Sequence, residues 1–269
     1  MKLRFCYIFL LLAIFLSHNF CDDDLFATRL GLTGSILTPS PFTREVEEGS
    51  LSYTLNTYDI KDQSTKVFDR ASNHDISFSA GVMENVEFAI TQQYFTGGAK
   101  LRNRTLYSLK LAIPSDSIPM AFSFVAPGTR RDYSSALATF GWKSFYIGGG
   151  TNFGGRRLTQ LSFIDLDSFG TAAFGGYRLQ RVLANRNLQP NLVDVEGRPD
   201  EVFGFAGGQV NLGKNVQFLF DYNGDIFASG FRLSLDTSTL QLSYVSTGDY
   251  DDLFGRKQDN LLASAQYRF

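Results

Sequence analysis

NLLASAQYRF, residues 260–269, alternates apolar and polar side chains along one predicted strand. Leu261, Tyr267 and Phe269 share one face with two alanines, whereas Ser264 and Gln266 lie on the other face. Ten residues with a period of two match the length and pattern of a tilted strand that crosses a bilayer between lipid and a wetter lumen. We therefore predict a membrane-spanning strand, with the edge strand of a β-sandwich as the alternative.

The same alternation recurs upstream. Clear strands are predicted at 50–57, 75–82, 86–93, 107–112, 120–124, 216–222, 227–235 and 240–244. Glycine-rich and less regular strands are predicted at 134–141, 143–151, 156–164, 168–178 and 201–212. The resulting fold class is an all-β, antiparallel transmembrane barrel of about 14 strands, with 12 as the alternative count.

Connections between the predicted strands fall into two classes. The links at 83–85, 114–119, 142, 165–167, 213–215 and 236–239 are short and lie at one end, whereas most of the others are long. Short periplasmic turns and longer external loops are typical of outer-membrane barrels. No water in the hydrocarbon layer can satisfy an open sheet edge, so strand 50–57 is expected to pair with strand 260–269. Tyr267 and Phe269 resemble the C-terminal assembly signal of such barrels.

The N-terminus predicts export. Lys2 and Arg4 precede an apolar run at 6–16, which is too short for a membrane-spanning helix and fits a signal peptide over residues 1–21. Residues 22–49 then form an N-terminal extended segment or plug, and residues 50–269 form the barrel. Cys21 is either removed with the leader or lipidated, although Phe20 fits the lipidation pattern poorly. No disulfide framework is predicted.

Composition and motifs argue against several function classes. The net charge of −2 gives no reason to expect nucleic-acid binding. No His/Cys cluster, calcium loop or phosphate loop is present, so no metal or cofactor is predicted. His74 is the only histidine outside the leader, and a Ser-His or Asp-His arrangement with its neighbours is formally available. We interpret it as a polar loop residue and predict no enzyme.

Charged side chains remain as candidate functional residues. Six of them lie on the parity assigned to the lumen, namely Glu87, Lys110, Arg178, Asp221, Arg232 and Arg268. They would either bias the passage of ions or form an internal salt-bridge network. Four arginines lie in or beside predicted outer loops, where they would bind an anionic polysaccharide or simply be solvated: Arg130, Arg131, Arg156 and Arg157.

A short motif before the barrel carries a family resemblance. It consists of a Gly-x-x-Gly stretch, Thr-Pro-Ser and an acidic-Gly pair, formed by Gly31, Gly34, Thr38, Pro39, Ser40, Glu48 and Gly49. This pattern resembles the opening of the YjbH-like family of exopolysaccharide-associated outer-membrane barrels, although Pro41 departs from it. The alternative is that these residues form an extended segment with a proline turn that plugs or braces the barrel.

The resemblance implies a non-enzymatic bacterial outer-membrane barrel that assists export or assembly of an exopolysaccharide. A passive or hydrophobic-ligand transport channel with an N-terminal plug is the alternative, and a lipid-modifying barrel enzyme is a distant one. The expected partners are outer-membrane lipid, lipopolysaccharide and the barrel assembly machinery.

Overall fold

The computed structural model describes residues 26–61, 68–97, 103–130, 132–155, 177–182, 194–199, 202–223, 226–247 and 259–269. Over these ranges the chain forms fourteen β-strands. They are β1 Gly49–Lys61, β2 Phe68–Met83, β3 Val86–Gly97, β4 Arg104–Ile113, β5 Met120–Pro127, β6 Tyr133–Trp142, β7 Phe145–Gly154, β8 Tyr177–Val182, β9 Asp194–Pro199, β10 Val202–Asn211, β11 Val216–Asn223, β12 Ile226–Leu235, β13 Ser238–Thr247 and β14 Asp259–Arg268.

Twelve of these strands close into an antiparallel barrel in the order β1-β14-β13-β12-β11-β10-β7-β6-β5-β4-β3-β2. The first and last strands pair from Ser50 opposite Arg268 to Thr57 opposite Leu261. Gly49 and Phe269 add two mutual backbone hydrogen bonds of 2.9 and 3.1 Å at the end of this seam. The predicted barrel class is confirmed, and the count is the lower of the two predicted values.

The remaining two strands, β8 and β9, pair only with each other. β7 pairs directly with β10 through six residue pairs, so the barrel closes without a strand between them. The strand predicted at 156–164 and most of the one predicted at 168–178 lie outside the described residues. Arg178 lies on β8 and is therefore not on a barrel strand, because the alternating pattern around it belongs to this separate hairpin.

Connections differ in length at the two ends of the barrel. The end that carries Gly49 and Phe269, here called the terminal end, has the short links β2–β3, β4–β5, β6–β7, β10–β11 and β12–β13. The opposite end, here called the loop end, has the connection from β7 to β10 that includes β8 and β9. The predicted turn at 165–167 lies outside the described residues.

The two faces of the barrel have inverted polarity relative to a soluble protein. Large apolar side chains such as Leu51, Phe78, Phe122 and Leu242 are 43–57% exposed on the outside. Inward positions on the same strands are polar and buried, with Ser50 and Ser79 fully inaccessible. A wall that is apolar outside, polar inside and free of unpaired edges is the form that hydrocarbon requires of a sheet. The barrel is therefore of the membrane-spanning kind.

Candidate functional site in the barrel lumen

Residues 26–48, here called the plug, run through the lumen before the chain enters β1. Short bridges between Ala27 and Thr33 and between Gly34 and Pro39 fold the plug back on itself. Most of its side chains as far as Pro41 are buried, with Leu32 and Thr33 completely inaccessible, whereas Glu45, Val46 and Glu47 are exposed. Hydrogen bonds and packing connect it to inward side chains of β2, β3, β4, β6, β7, β11, β12 and β14. Because these strands surround the barrel axis, the plug spans the cross-section of the lumen.

Asp221 of β11 holds the middle of the plug. Its Oδ2 accepts hydrogen bonds from the backbone N–H groups of Ile36 (2.7 Å), Leu37 and Thr38 (3.1 Å). Its Oδ1 accepts a further bond of 2.6 Å from the Thr38 hydroxyl. Three consecutive amides converging on one carboxylate form an anion nest within the plug, and charge-assisted bonds of this kind are stronger than neutral ones.

Arg232 of β12 contacts the plug next to this nest. Its Nη2 donates to the carbonyl oxygens of Gly34 (3.2 Å) and Ser35 (2.9 Å). Nη2 and Nε also donate to Gln241 Oε1 at 3.0 and 3.1 Å. The guanidinium lies 4.7 Å from the centroid of the Phe26 ring, within the range of a cation–π contact. Asp221 and Arg232 thus bind plug N–H and C=O groups respectively, and we call them the β11–β12 docking site.

Tyr146 of β7 supports the same part of the plug. Its hydroxyl accepts a hydrogen bond from Ser35 N at 3.1 Å and donates to Thr38 O at 3.0 Å. Gly207 faces this contact, because a Cβ at that position would meet Asp221, Thr38 and Tyr146. A larger residue at 207 would therefore separate the plug from its partners.

Glu87 of β3 and Lys110 of β4 form a second charged contact, here called the β3–β4 docking site. Lys110 Nζ lies 3.3 Å from Glu87 Oε2, and both side chains are fully buried. Lys110 also donates to the carbonyl oxygens of Thr33 (2.7 Å) and Phe42 (2.6 Å). Glu87 Oε1 accepts from Thr33 N at 3.0 Å. The plug therefore lies against a buried ion pair.

Arg44 extends the charge network of the β3–β4 docking site towards the seam. Its Nε donates to Ser79 Oγ at 2.9 Å and lies 3.7 Å from Glu87 Oε1. Its Nη2 donates to Gln266 Oε1 on β14 at 3.3 Å. Burial lowers the pKa of the Arg44 guanidinium from its ordinary value, while the carboxylates of Glu87 and Glu48 act in the opposite direction. Arginine remains charged under these conditions, so Arg44 offsets the Glu87 carboxylate.

Two apolar clusters complete the contact between plug and wall. One joins Leu30 and Leu32 of the plug to inward residues of β3, β4, β5, β6 and β10, namely Ala89, Leu106, Val125, Leu137, Phe203 and Phe205. The other joins Ile36 and Leu37 to Leu219, Ala228, Val245 and Leu262 on β11 to β14. The plug is thus held on both sides of the barrel by apolar packing as well as by polar contacts.

The motif residues from the sequence lie at turns and contacts of the plug. Gly31 has a φ of +77°, and a Cβ there would lie 2.8 Å from the Ala89 side chain. Gly34 lies against Thr38 and Pro39, where a Cβ would have no room. The hydroxyl of Ser40 contacts Thr33 O at 3.4 Å. Gly49 begins β1 and packs against the Phe269 ring. The motif therefore shapes the plug and joins it to the seam.

The charged candidates lie in different parts of the structure. Glu87, Lys110, Asp221 and Arg232 are brought onto the plug from two sides, and all four are at most 1% exposed. Arg268 is half-buried at the terminal end, where it donates to Asp236 O. The sixth candidate, Arg178, lies on β8 and not on a barrel strand. Arg130 is exposed at the loop end; the other predicted loop arginines, Arg131, Arg156 and Arg157, lie outside the described residues.

Sequence reasoning missed two residues that hold the plug. Tyr146 lies between Phe145 and Ile147, both exposed on the outside, so strand parity alone could have placed it in the lumen. Arg44 precedes the first strand and had no periodicity to mark it. His74, which we interpreted as a loop residue, lies within β2 instead. Among the described residues no group of three His, Cys, Asp or Glu side chains could hold a metal ion.

The chain matches no protein-family model and no curated protein. Solved structures with a similar course include the NanC porin, with 9% identity, a TM-score of 0.47 and coverage of 81% of this chain and 98% of that one. The outer membrane protein Omp33 of Acinetobacter baumannii has 8% identity, a TM-score of 0.42 and coverage of 82% and 98%. Outer membrane phospholipase A of Escherichia coli has 8% identity, a TM-score of 0.40 and coverage of 81% and 92%. Similarities at this level say nothing about activity.

Proposed function

We propose that this protein is a plugged bacterial outer-membrane barrel that acts in export or assembly at the cell surface rather than as a permanently open pore. The observation that carries the proposal is the plug itself, which is held by two charged docking sites on different walls and by two apolar clusters. An open pore would not need a segment bound so extensively across its lumen. The loop end faces outward in this arrangement, in accordance with the usual placement of long loops.

The substrate we propose is an anionic exopolysaccharide. The YjbH-like resemblance supports this choice, because the residues that carry it are those that form the plug. Arg130, exposed at the loop end, is one cationic group that would meet a uronate or phosphate there. A chromosomal deletion should lower the amount of acidic polysaccharide at the cell surface, and the wild-type gene should restore it. Unchanged polysaccharide in the deletion strain would contradict the proposal.

A hydrophobic-ligand channel is the second candidate, and the apolar clusters are the observation in its favour. Phe203, Phe205 and Leu106 face the lumen although a barrel interior is usually polar. If the plug moved, these side chains would line an apolar passage on one wall. Uptake of a fluorescent fatty acid by proteoliposomes, but not by vesicles without protein, would favour this candidate over polysaccharide assembly.

Single-channel conductance in a planar bilayer tests whether the plug closes the barrel. We expect silence from the mature chain and current steps after removal of residues 22–48, which leaves Gly49 and its bonds to Phe269 in place. Current through the intact chain would contradict closure. If the truncated chain does not give the heat-modifiable form of a folded barrel, the full-length Gly207→Val variant takes its place. Its added side chain should push Thr38 away from Asp221 and Tyr146, and heat modifiability checks that the barrel is folded.

Membrane assembly is tested at the seam. Phe269 bonds to Gly49 and packs against Phe78, so Phe269→Ser removes an aromatic contact at the closing edge. We expect at least a several-fold lower yield of heat-modifiable barrel in the outer-membrane fraction, since the assembly machinery also reads this residue in our proposal. Phe140→Ser, on another strand, is the matched control. Equal yields in the two variants would count against a special role of Phe269.

A further inference from the structure

A compact polar cluster lies on the outer face of the barrel, away from the plug. Ser72 and His74 are on β2, Tyr53 is on β1 and Thr96 is on β3. Ser72 Oγ is 3.0 Å from His74 Nε2, and Tyr53 Oη is 2.7 Å from His74 Nδ1. Thr96 Oγ1 is 2.5 Å from Ser72 Oγ. One chain of hydrogen bonds thus joins a hydroxyl, an imidazole and a group that orients the imidazole.

The cluster faces the membrane. Tyr53 is 42% exposed on the outside, as is Ile76, which follows His74 on the same face of β2. Ser72 and His74 are 11 and 9 residues from Met83, the terminal-end residue of β2. At about 3.3 Å per residue and a tilt of about 40°, they lie roughly 28 and 23 Å above that end. An outer-membrane barrel has an apolar band about 25 Å tall, so the pair lies at its upper edge.

We propose that Ser72 and His74 form a nucleophile and general base that cleave acyl esters of lipids in the outer leaflet. The geometry meets the requirement for an activated serine, namely a base within hydrogen-bond reach that is itself oriented by a third group. This activity is independent of the plugged lumen.

The reaction balances with water as the second substrate. His74 Nε2 takes the Ser72 hydroxyl proton as Oγ attacks the ester carbonyl, and the imidazolium then protonates the leaving alcohol oxygen of the lipid. The acyl group remains on Ser72 until water, deprotonated by His74, attacks it. A fatty acid leaves, the proton returns to Oγ, and the lipid has lost one acyl chain.

The two flanking hydroxyls have distinct roles. Tyr53 is a positioning residue, because a hydrogen bond from His74 Nδ1–H to its oxygen selects the tautomer in which Nε2 is free to act as the base. Thr96 touches the nucleophile, so its hydroxyl is placed to donate to the oxygen that becomes negative in the tetrahedral intermediate. Of the described residues, Tyr53 and Tyr94 are the titratable ones that face His74, and Tyr94 stands opposite it on β3.

The location defines the substrate class. Ester carbonyls of membrane lipids lie where the hydrocarbon ends, and Ser72 lies at that level. Glycerophospholipids and acylated lipopolysaccharide both carry such esters, so the acyl ester is the group that the site would recognise.

Covalent labelling tests the nucleophile. The mature full-length chain, reconstituted in vesicles of phosphatidylethanolamine and phosphatidylglycerol, is treated with a fluorophosphonate and analysed by peptide mass spectrometry. We expect modification at Ser72, with none there in Ser72→Ala and at least about 100-fold slower labelling in His74→Gln. Heat modifiability verifies that each variant is folded. A wild-type chain that is not labelled at Ser72 would overturn the proposal.

The role of Tyr53 is tested by the pH dependence of labelling. The chain has two histidines, and His18 is in the predicted leader, so the profile of the mature protein reports on His74. We expect Tyr53→Phe to slow labelling about tenfold and to shift the midpoint of the profile. Tyr107→Phe alters a similarly exposed tyrosine on β4 and should leave the labelling rate and the midpoint of the profile unchanged. A Tyr53→Phe profile identical to the wild type would show that Tyr53 has no positioning role.

Turnover identifies the lipid. Fatty-acid release is measured by mass spectrometry from the phospholipid vesicles and, separately, from vesicles that contain lipopolysaccharide. Release from one set that is lost in Ser72→Ala assigns that lipid as the substrate. Labelling without release from either set would contradict lipid-ester cleavage, whatever the outcome of the conductance experiment.

Discussion

The two docking sites hold the plug in different ways. At the β3–β4 docking site, Glu87 and Lys110 are 3.3 Å apart and would remain partners if the plug were absent. At the β11–β12 docking site, the Asp221 carboxylate takes four hydrogen bonds from the plug. A buried charge that loses its partners costs several kcal/mol. Release of the plug therefore removes the four bonds that hold the Asp221 charge, whereas Glu87 and Lys110 lose plug contacts but keep each other.

Substitution of Asp221 should have the largest effect. Asp221→Asn removes the charge and turns an amide group towards plug N–H donors, which should weaken plug binding by about 2–4 kcal/mol. We expect current steps in the bilayer and faster proteolysis within residues 26–48. Asp116→Asn, in the exposed β4–β5 turn, is the matched control. A silent, protease-resistant Asp221→Asn protein would refute the difference between the sites.

The ion pair at the β3–β4 docking site should give an intermediate effect. Glu87→Gln and Lys110→Met should each destabilise the plug by about 1–3 kcal/mol, because each leaves one buried charge with fewer partners. The double variant should cost less than the sum of the two, with a coupling of about 0.5–3 kcal/mol. Proteolysis of the plug in all four proteins measures this cycle. Strict additivity would mean that the plug, rather than the pair, holds each charge.

The smallest effect is expected at a third contact, between Arg29 and Asp75. Arg29 Nε lies 2.7 Å from Asp75 Oδ2, but the arginine side chain is 26% exposed. Salt bridges with an exposed partner contribute about 0.2–1 kcal/mol, and salt screens them. Asp75→Asn should therefore change plug proteolysis less than twofold at 0.5 M salt. A larger change would identify a third essential contact, between the plug and the middle of β2.

Strand parity predicted which side chains point into the lumen, but it did not predict what those side chains contact. Side chains alternate between the two faces of a strand, so the sequence alone indicated the inward direction of Glu87, Lys110, Asp221 and Arg232. Parity gives the direction of a side chain but does not identify the residue that it contacts. That Asp221 meets the amides of Ile36, Leu37 and Thr38 depends on contacts between residues more than 180 positions apart.

The cluster around His74 shows the same limit. Ser72 and His74 are two positions apart and therefore share a face in any strand, but Tyr53 joins them only through the pairing of β1 with β2. The prediction that Arg178 lies on a barrel strand was wrong for a different reason. Alternation at 177–178 continued a strand pattern, yet those residues pair with β9 rather than with a barrel strand. Local pattern predicts strand formation, whereas sheet membership depends on the partner.

Three elements meet where the barrel closes, namely β1, β14 and the plug. Gln266 on β14 accepts hydrogen bonds from Ala27 N at 2.7 Å and from Arg44 Nη2 at 3.3 Å. These contacts with the plug can form only while β14 and the plug lie side by side, so docking of the plug and pairing of β14 with β1 reinforce each other. One glutamine side chain therefore couples the filling of the lumen to the integrity of the wall.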